Sequence, residues 1–181
     1  MSPYPRVLYE HIDKADFEKA IRLCRFVKEH TLWATLAAMG IYQRELNTVE
    51  IALAAIDEAD KVQFINYVKE LPSEPARNAA LAVYQKKIPE AEQILLQARL
   101  YYRAIKLNIK MYKWDRALEI ALQNKTHVDT VIAYRKRFLQ MYGKEETNDK
   151  MKQLAKDLNV DMEVVKTKIR ADKEKELAAN K

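Results

Sequence analysis

The 181-residue chain is 49% hydrophobic and 32% charged, carries a formal net charge of +6, and contains only 2 Gly, 5 Pro and 1 Cys. So little glycine excludes Gly-rich phosphate loops and folds built on tight hairpins, while the prevalence of good helix formers predicts an almost purely helical chain. The basic excess is mild and interspersed with acids, unlike the concentrated stripe of a nucleic-acid binder, so no nucleic-acid partner is expected.

The opening MSPYPRVLYEH has no apolar h-region, so no signal peptide is visible, and residues 1–15 read as a lead-in segment with a short helix. Repeats begin after it. Four segments share an opening with apolar or small residues three apart: Phe17-Ala20-Leu23, Leu46-Val49-Ala52, Ile88-Ala91-Ile94 and Trp114-Ala117-Ile120. That spacing puts each set on one helix face. About 14 residues after each start a second helical stripe appears: TLWATLAAM, DKVQFINYV, YRAIKLNI and VDTVIAY. The steps between starts are uneven, and the long middle step contains an additional helix, PARNAALAVYQKK, capped by Ser73 with Pro75 in its first turn. Residues 16–142 therefore read as irregular TPR-like helix pairs.

Several local signals fall within this frame. Cys24 sits in the apolar run LCRFV and reads as a small buried hydrophobe; a single cysteine can form neither an internal disulfide nor a Cys-based zinc site. Ala34, Ala37, Ala38 and Gly40 form a small-residue patch that permits close packing between neighbouring helices, or close approach of a partner helix. The run LWATLAAMGIY is far short of the roughly 20 apolar residues that cross a bilayer, so no membrane insertion is expected. Asn47 with Glu50, and Thr126 with Asp129, have the spacing of capping boxes. Tyr101, Tyr102, Tyr112 and Trp114 cluster around one helix pair, as core or as interface anchors.

Residues 143–171 read as C-terminal helices. Gly143 suits the position just past a helix end, and Asp161 suits a cap flanked by a Val160–Val165 staple. Residues 172–181 lack a continuing apolar face and are expected to fray into solvent. The helix after Thr126 carries aromatic and basic side chains that suit an interface: Tyr134, Arg135, Arg137, Phe138 and Tyr142. With Ala34, Ala37 and Ala38 these are the candidate contact residues.

Nothing in the sequence points to chemistry. His11, His30 and His127 are far apart, none has a metal-ligand spacing, and each is expected at the surface or near a helix cap. There is no P-loop, no G-x-S-x-G and no H-E-x-x-H, and only Ser2 and Ser73 could serve as serine nucleophiles. Adjacent carboxylates such as Asp57/Glu58 and Glu145/Glu146 point different ways on a helix and read as solvated. No cofactor, metal or catalytic role is expected.

Three stretches, residues 22–66, 90–122 and 125–139, with the lead-in SPYPRVLYEHI, resemble the family of C-terminal helical regions of the eighty-kilodalton subunits of intraflagellar-transport complex B. The likeness is dense rather than motif-based and extends to about Ile169. It implies a non-catalytic assembly module of anterograde trains in the cilium or flagellum and basal body, on the cytoplasmic side, with other complex-B subunits as partners. Self-association as a homodimer is left open. Family members carry two WD-repeat propellers before this region. This chain shows no regular four-strand pattern, and its one WD dipeptide, Trp114-Asp115, lies in a helical stripe, so it reads as the C-terminal part of such a subunit. The alternative reading is a helical scaffold of another coat or vesicle-trafficking assembly. The expected fold is an all-α, irregular TPR-like solenoid of about four helix pairs plus extra helices.

Overall fold

The four repeat starts read from the sequence coincide with helix starts. Phe17, Leu46, Ile88 and Trp114 are the first residues of α2 (Phe17–Val27), α4 (Leu46–Ala54), α7 (Ile88–Gln97) and α9 (Trp114–Gln123). The computed structural model describes residues 3–179, and among these it contains helices and no strand. The chain divides into two units, one ending at Leu71 and the other beginning at Pro72.

The first unit comprises α1 (Tyr4–Asp13), α2, α3 (His30–Gln43), α4 and α5 (Ala59–Glu70). Its core takes Leu8 and Ile12 from α1, Ala20 and Cys24 from α2, and Leu36 and Ile41 from α3. Val49 and Ala52 from α4 and Ile65 and Val68 from α5 complete it. Asp16 caps α2 by accepting from the Lys19 N–H at 3.2 Å. The small-residue patch on α3 is split by helical geometry. Ala37 and Gly40 are buried, whereas Ala34 and Ala38, one turn apart, are exposed. A Cβ at Gly40 would lie 2.7 Å from Cγ2 of Val49. Glycine there lets α4 pack directly on α3.

The second unit comprises α6 (Glu74–Tyr84), α7, α8 (Tyr101–Lys110), α9, α10 (Val128–Met141), α11 (Asp149–Asp157) and α12 (Met162–Ala179). One apolar cluster joins α6, α7 and α8 through Ala79, Ala82, Ala91, Leu95, Ala104 and Leu107. A second joins α8, α9, α10 and α11 through Ile105, Leu118, Ile120, Val131, Ile132 and Met151, with Trp114 and Leu122 packed on its margin. A third seats α12 on α10 through Ala133, Val165 and Ile169, with Val160 packed beside them as the staple expectation required.

The closest helix neighbours are α3 with α4, α6 with α7, and α8 with α9. The hairpins α3–α4 and α8–α9 thus straddle the pairs read from the sequence, whereas α5 packs chiefly on α4 and α10 on α9, within their own pairs. Every helix in such an array has a neighbour before it and a neighbour after it, so a stripe alone does not say which is nearer.

The connectors explain how a glycine-poor chain turns so often. Ala15, Lys28, Arg44, Asp57, Lys86, Arg99, Tyr112 and Lys125 all adopt positive φ, between 51° and 63°. The following residue's N–H often bonds back five residues, as in Lys87 to Ala82, Leu100 to Leu95 and Lys113 to Asn108, each at 2.9 Å. This is the Schellman closure, with non-glycine residues in the left-handed position usually given to Gly. Gly143 takes the same role after α10 at φ +61°, as expected, and the Lys144 N–H reaches the Leu139 carbonyl at 2.9 Å.

Other caps divide between agreement and correction. Ser73 Oγ accepts from the Ala76 N–H at 3.4 Å with Pro75 in the first turn of α6, and Asp161 Oδ1 accepts from the Glu163 N–H at 3.0 Å. Neither expected capping box forms. Asn47 lies inside α4, whose N-cap is Glu45, and α10 is preceded by His127 rather than capped by Thr126. The tail is also corrected. Residues 172–179 continue α12 as helix, and Asp172 and Glu176 pack back onto the second unit. Residues 180–181 lie outside the described residues.

Candidate protein interface

The turn between α8 and α9 places Tyr112 and Trp114 on either side of Lys113, and the last turns of α10 bring Phe138 and Tyr142 to them. Ring centroids lie 5.3 Å apart for Tyr112–Phe138, 5.4 Å for Trp114–Phe138 and 4.9 Å for Phe138–Tyr142, all tilted. Trp114 and Phe138 are half-buried, while Tyr112 is 64% and Tyr142 57% exposed. Two wet rings thus flank two packed ones, a geometry suited to anchoring a partner.

Arg135 braces this cluster from below. Its guanidinium carbon lies 5.4 Å from the Trp114 centroid and 5.9 Å from that of Phe138. It is bidentate to Glu146, with Nε donating to Oε2 at 2.9 Å and Nη2 to Oε1 at 3.2 Å. Glu146 Oε1 also accepts from the N–H groups of Thr147 and Asn148. The Arg135 hydrogen bond, first, and these backbone donors hold its carboxyl below the usual carboxylate range. Asn148 in turn caps α11, accepting from Lys150 and Met151, and donates to Asp115 on α9 at 3.1 Å. The loop from α10 to α11 is therefore tied to α9 on one side and to α10 on the other.

The five candidates on α10 separate. Arg135, Phe138 and Tyr142 belong to this cluster. Arg137 is exposed. Tyr134 is half-buried and packs with Tyr102, Val160 and Met162 against the seat of α12. Tyr102 therefore belongs to packing, and burial raises its hydroxyl pKa to about 12.

The sequence reading missed a polar seam under α12. His127, expected at the surface or near a helix cap, takes the N-cap position of α10 and is 2% exposed. Its Nδ1 lies 3.0 Å from Thr130 Oγ1, its Nε2 contacts a carboxylate oxygen of Asp172, and its ring stacks at 5.1 Å on Tyr102. Burial lowers its pKa, against the pull of Asp172. Glu176 accepts from Arg103 Nε and from the Ser73 hydroxyl, the latter at 3.0 Å, and Lys168 donates to Asp129 at 2.9 Å. The signal was present as spacing. Val165, Ile169, Asp172 and Glu176 follow one another at four, three and four residues, so the seam continues the apolar stripe with carboxylates.

Cys24 is buried, and burial pushes its thiol up to about 11, which suits packing rather than nucleophilic chemistry. Among the described residues no group of three or more His, Cys, Asp or Glu side chains could hold a metal ion, and no helix is long and apolar enough to cross a membrane.

Comparison with known proteins places this geometry. Residues 32–178 match the model of the IFT80/172/WDR35/WDR19 TPR domain. The chain is 51% identical over 176 residues to the intraflagellar transport protein 80 homolog of Rattus norvegicus and 50% identical to that of Mus musculus, in each case over 97% of this chain. Similarity extends at 26% identity over 126 residues, 61% of this chain and 7% of the relative, to intraflagellar transport protein osm-1 of Caenorhabditis elegans. The chain spans 23% of the length of the rat and mouse relatives. By the extent of the family match and the helical repeats that carry it, the chain belongs to the IFT80/172/WDR35/WDR19 TPR-domain family.

Proposed function

We propose that this chain is a protein–protein assembly module of an intraflagellar-transport complex-B subunit, working in anterograde trains at the cilium, flagellum and basal body on the cytoplasmic side, without catalysis. Other complex-B subunits are its partners, and self-association into a homodimer is a second mode that the same surface would serve. The observation that carries the reading is the pair of exposed rings, Tyr112 and Tyr142, held on a packed Trp114–Phe138–Arg135 frame in a chain of this family. Aromatic anchors on a rigid base lose little conformational entropy when a partner covers them.

The structure refines which residues to test. Tyr134 supports α12, so its removal would confuse folding with binding. Tyr112, Arg137 and Tyr142 are exposed and can be changed without opening the core. Co-purification of the chain with the remaining complex-B subunits tests the reading. A wild-type chain that recovers none of them would overturn it.

A further inference from the structure

Helix α12 is long but sparingly buried. Of its 18 residues only Val165 and Ile169 are buried, whereas the ten residues of α9 bury four. Its remaining hold is polar. Asp172 contacts His127, Glu176 accepts from Arg103 on α8 and from Ser73 ahead of α6, and Lys168 pairs with Asp129 at 2.9 Å. A segment with few buried apolar side chains opens locally at low free energy while the rest of the fold stays closed. Ion pairs that reach solvent weaken further as salt rises.

The helix also mismatches its seat at one position. Lys173 lines the same cavity, of about 360 Å³, as Tyr102 and Arg103. Lys106, half-buried on α8, reaches over the Tyr102 ring at 5.9 Å. Burial first, and then the like charges of Lys110, Lys173 and Arg103, hold the Lys106 pKa below the usual lysine value. The seat thus presents cations where α12 brings another cation. The other positions fit, with Val165 and Ile169 against Ala133 and the carboxylates of Asp172 and Glu176 on His127 and Arg103. The occupant that suits the seat better than α12 follows from these contacts. It is an amphipathic helix with aliphatic residues at the Val165 and Ile169 positions and carboxylates at the Asp172, Lys173 and Glu176 positions.

We infer that α12 is a displaceable strap, and that its seat on α8 and α10 takes a partner protein's helix of this pattern in its place. In the free chain the strap keeps the site closed, so the partner's apparent affinity is set by the fraction of chains whose strap is open. The inference deepens the reading of the chain as an assembly module and rests on it. The seat is a surface distinct from the Tyr112–Tyr142 cluster.

The test uses the full 181-residue chain. In hydrogen–deuterium exchange, amides of the second half of α12 should exchange at least about ten-fold faster than those of α10, and faster again as salt is raised. Lys168→Glu sets a like charge against Asp129, and Lys173→Glu sets an opposite charge against Lys106. The two variants have the same net charge, yet the first should speed α12 exchange and the second slow it. A labelled peptide of residues 162–179 carrying Lys173→Glu should bind wild type saturably in fluorescence anisotropy. It should bind the Lys168→Glu chain about ten-fold more tightly and the Lys173→Glu chain more weakly. Arg103→Gln, which removes a cation of the seat itself, should lose peptide binding at unchanged circular dichroism although α12 is loosened.

Exchange of wild-type α12 as slow as that of α10, a shift in the same direction for both charge variants, no saturable binding to wild type or Lys168→Glu, or peptide binding untouched by Arg103→Gln would each overturn the inference. A mass that doubles in light scattering when α12 is loosened, in place of peptide binding, would give the seat to a second copy and overturn it too. If the peptide fails while the chain still co-purifies with complex-B subunits, the strap inference falls alone. If co-purification also fails, the assembly reading falls with it.

Discussion

Arg103 Nε lies 2.9 Å from Oε1 and 2.8 Å from Oε2 of Glu176, joining α8 to the last turns of α12 across 73 residues of sequence. Glu176 also accepts from Ser73 at the start of α6, and its side chain is only 10% exposed. A part-buried pair of this kind leaves a stranded charge when one partner goes. Glu176→Ala should therefore destabilise the chain by about 1–3 kcal/mol in urea unfolding. An unchanged unfolding midpoint would mean that Glu176 adds nothing to the hold on α12 already given by Val165, Ile169 and the Asp172–His127 and Lys168–Asp129 contacts.

His127 gives the seam a pH dependence. Burial lowers its folded-state pKa below the ordinary value of 6.5. Below that value the unfolded chain binds a proton that the folded chain resists. The stability contributed is thus present above 6.5 and lost as pH falls through the folded-state value. Unfolding free energies measured down a pH series from neutral should fall in wild type, and fall less steeply in His127→Gln. Identical slopes would show that His127 does not govern this window.

The Gly40–Val49 contact makes a sharper stability prediction. Val49 is fully buried and its branched side chain is stiff at χ1, so it cannot swing away from an added Cβ. Gly40→Ala should cost about 1–3 kcal/mol despite alanine's better helix propensity. Adding Val49→Ala should recover part of that loss. A stabilised Gly40→Ala single variant would contradict the packing.

Substitution in the connectors should act the other way. Lys86 is exposed at φ +62° between α6 and α7. A left-handed conformation costs a side-chain-bearing residue about 1–2 kcal/mol, partly offset by glycine's greater freedom when unfolded. Lys86→Gly should raise stability by about 0.5–1 kcal/mol, read as a shift in denaturant midpoint. Lower stability would mean that the Lys86 side chain contributes contacts that outweigh the strain.

The helices were most legible where a 3.6-residue stripe is strong, as in α2 and α9. All four repeat starts and the Ser73 start of α6 fall where that periodicity places them. Three things were not legible. Capping boxes at Asn47 and Thr126 failed because the connectors close by Schellman turns, which fix the helix start without a side-chain cap. The place of His127 beside a helix start was legible, but its burial was not, because its partners, Thr130 and Asp172, include one 45 residues away. The tail was expected to fray because a stripe read only for apolar residues ends at Ile169, whereas Asp172 and Glu176 continue it by hydrogen bonding. At the candidate interface, residue type pointed to α10, but helix geometry divided the set, sending Tyr134 to the seat of α12 and Tyr142 to the surface.

The most direct measurement is the affinity of the full chain for the other complex-B subunits, compared with the Tyr112→Ala/Tyr142→Ala variant at matched circular dichroism and thermal stability. The account predicts saturable wild-type binding that weakens at least about ten-fold when the two exposed rings are removed. Equal affinity of wild type and variant would contradict it and place the contact surface elsewhere on the chain.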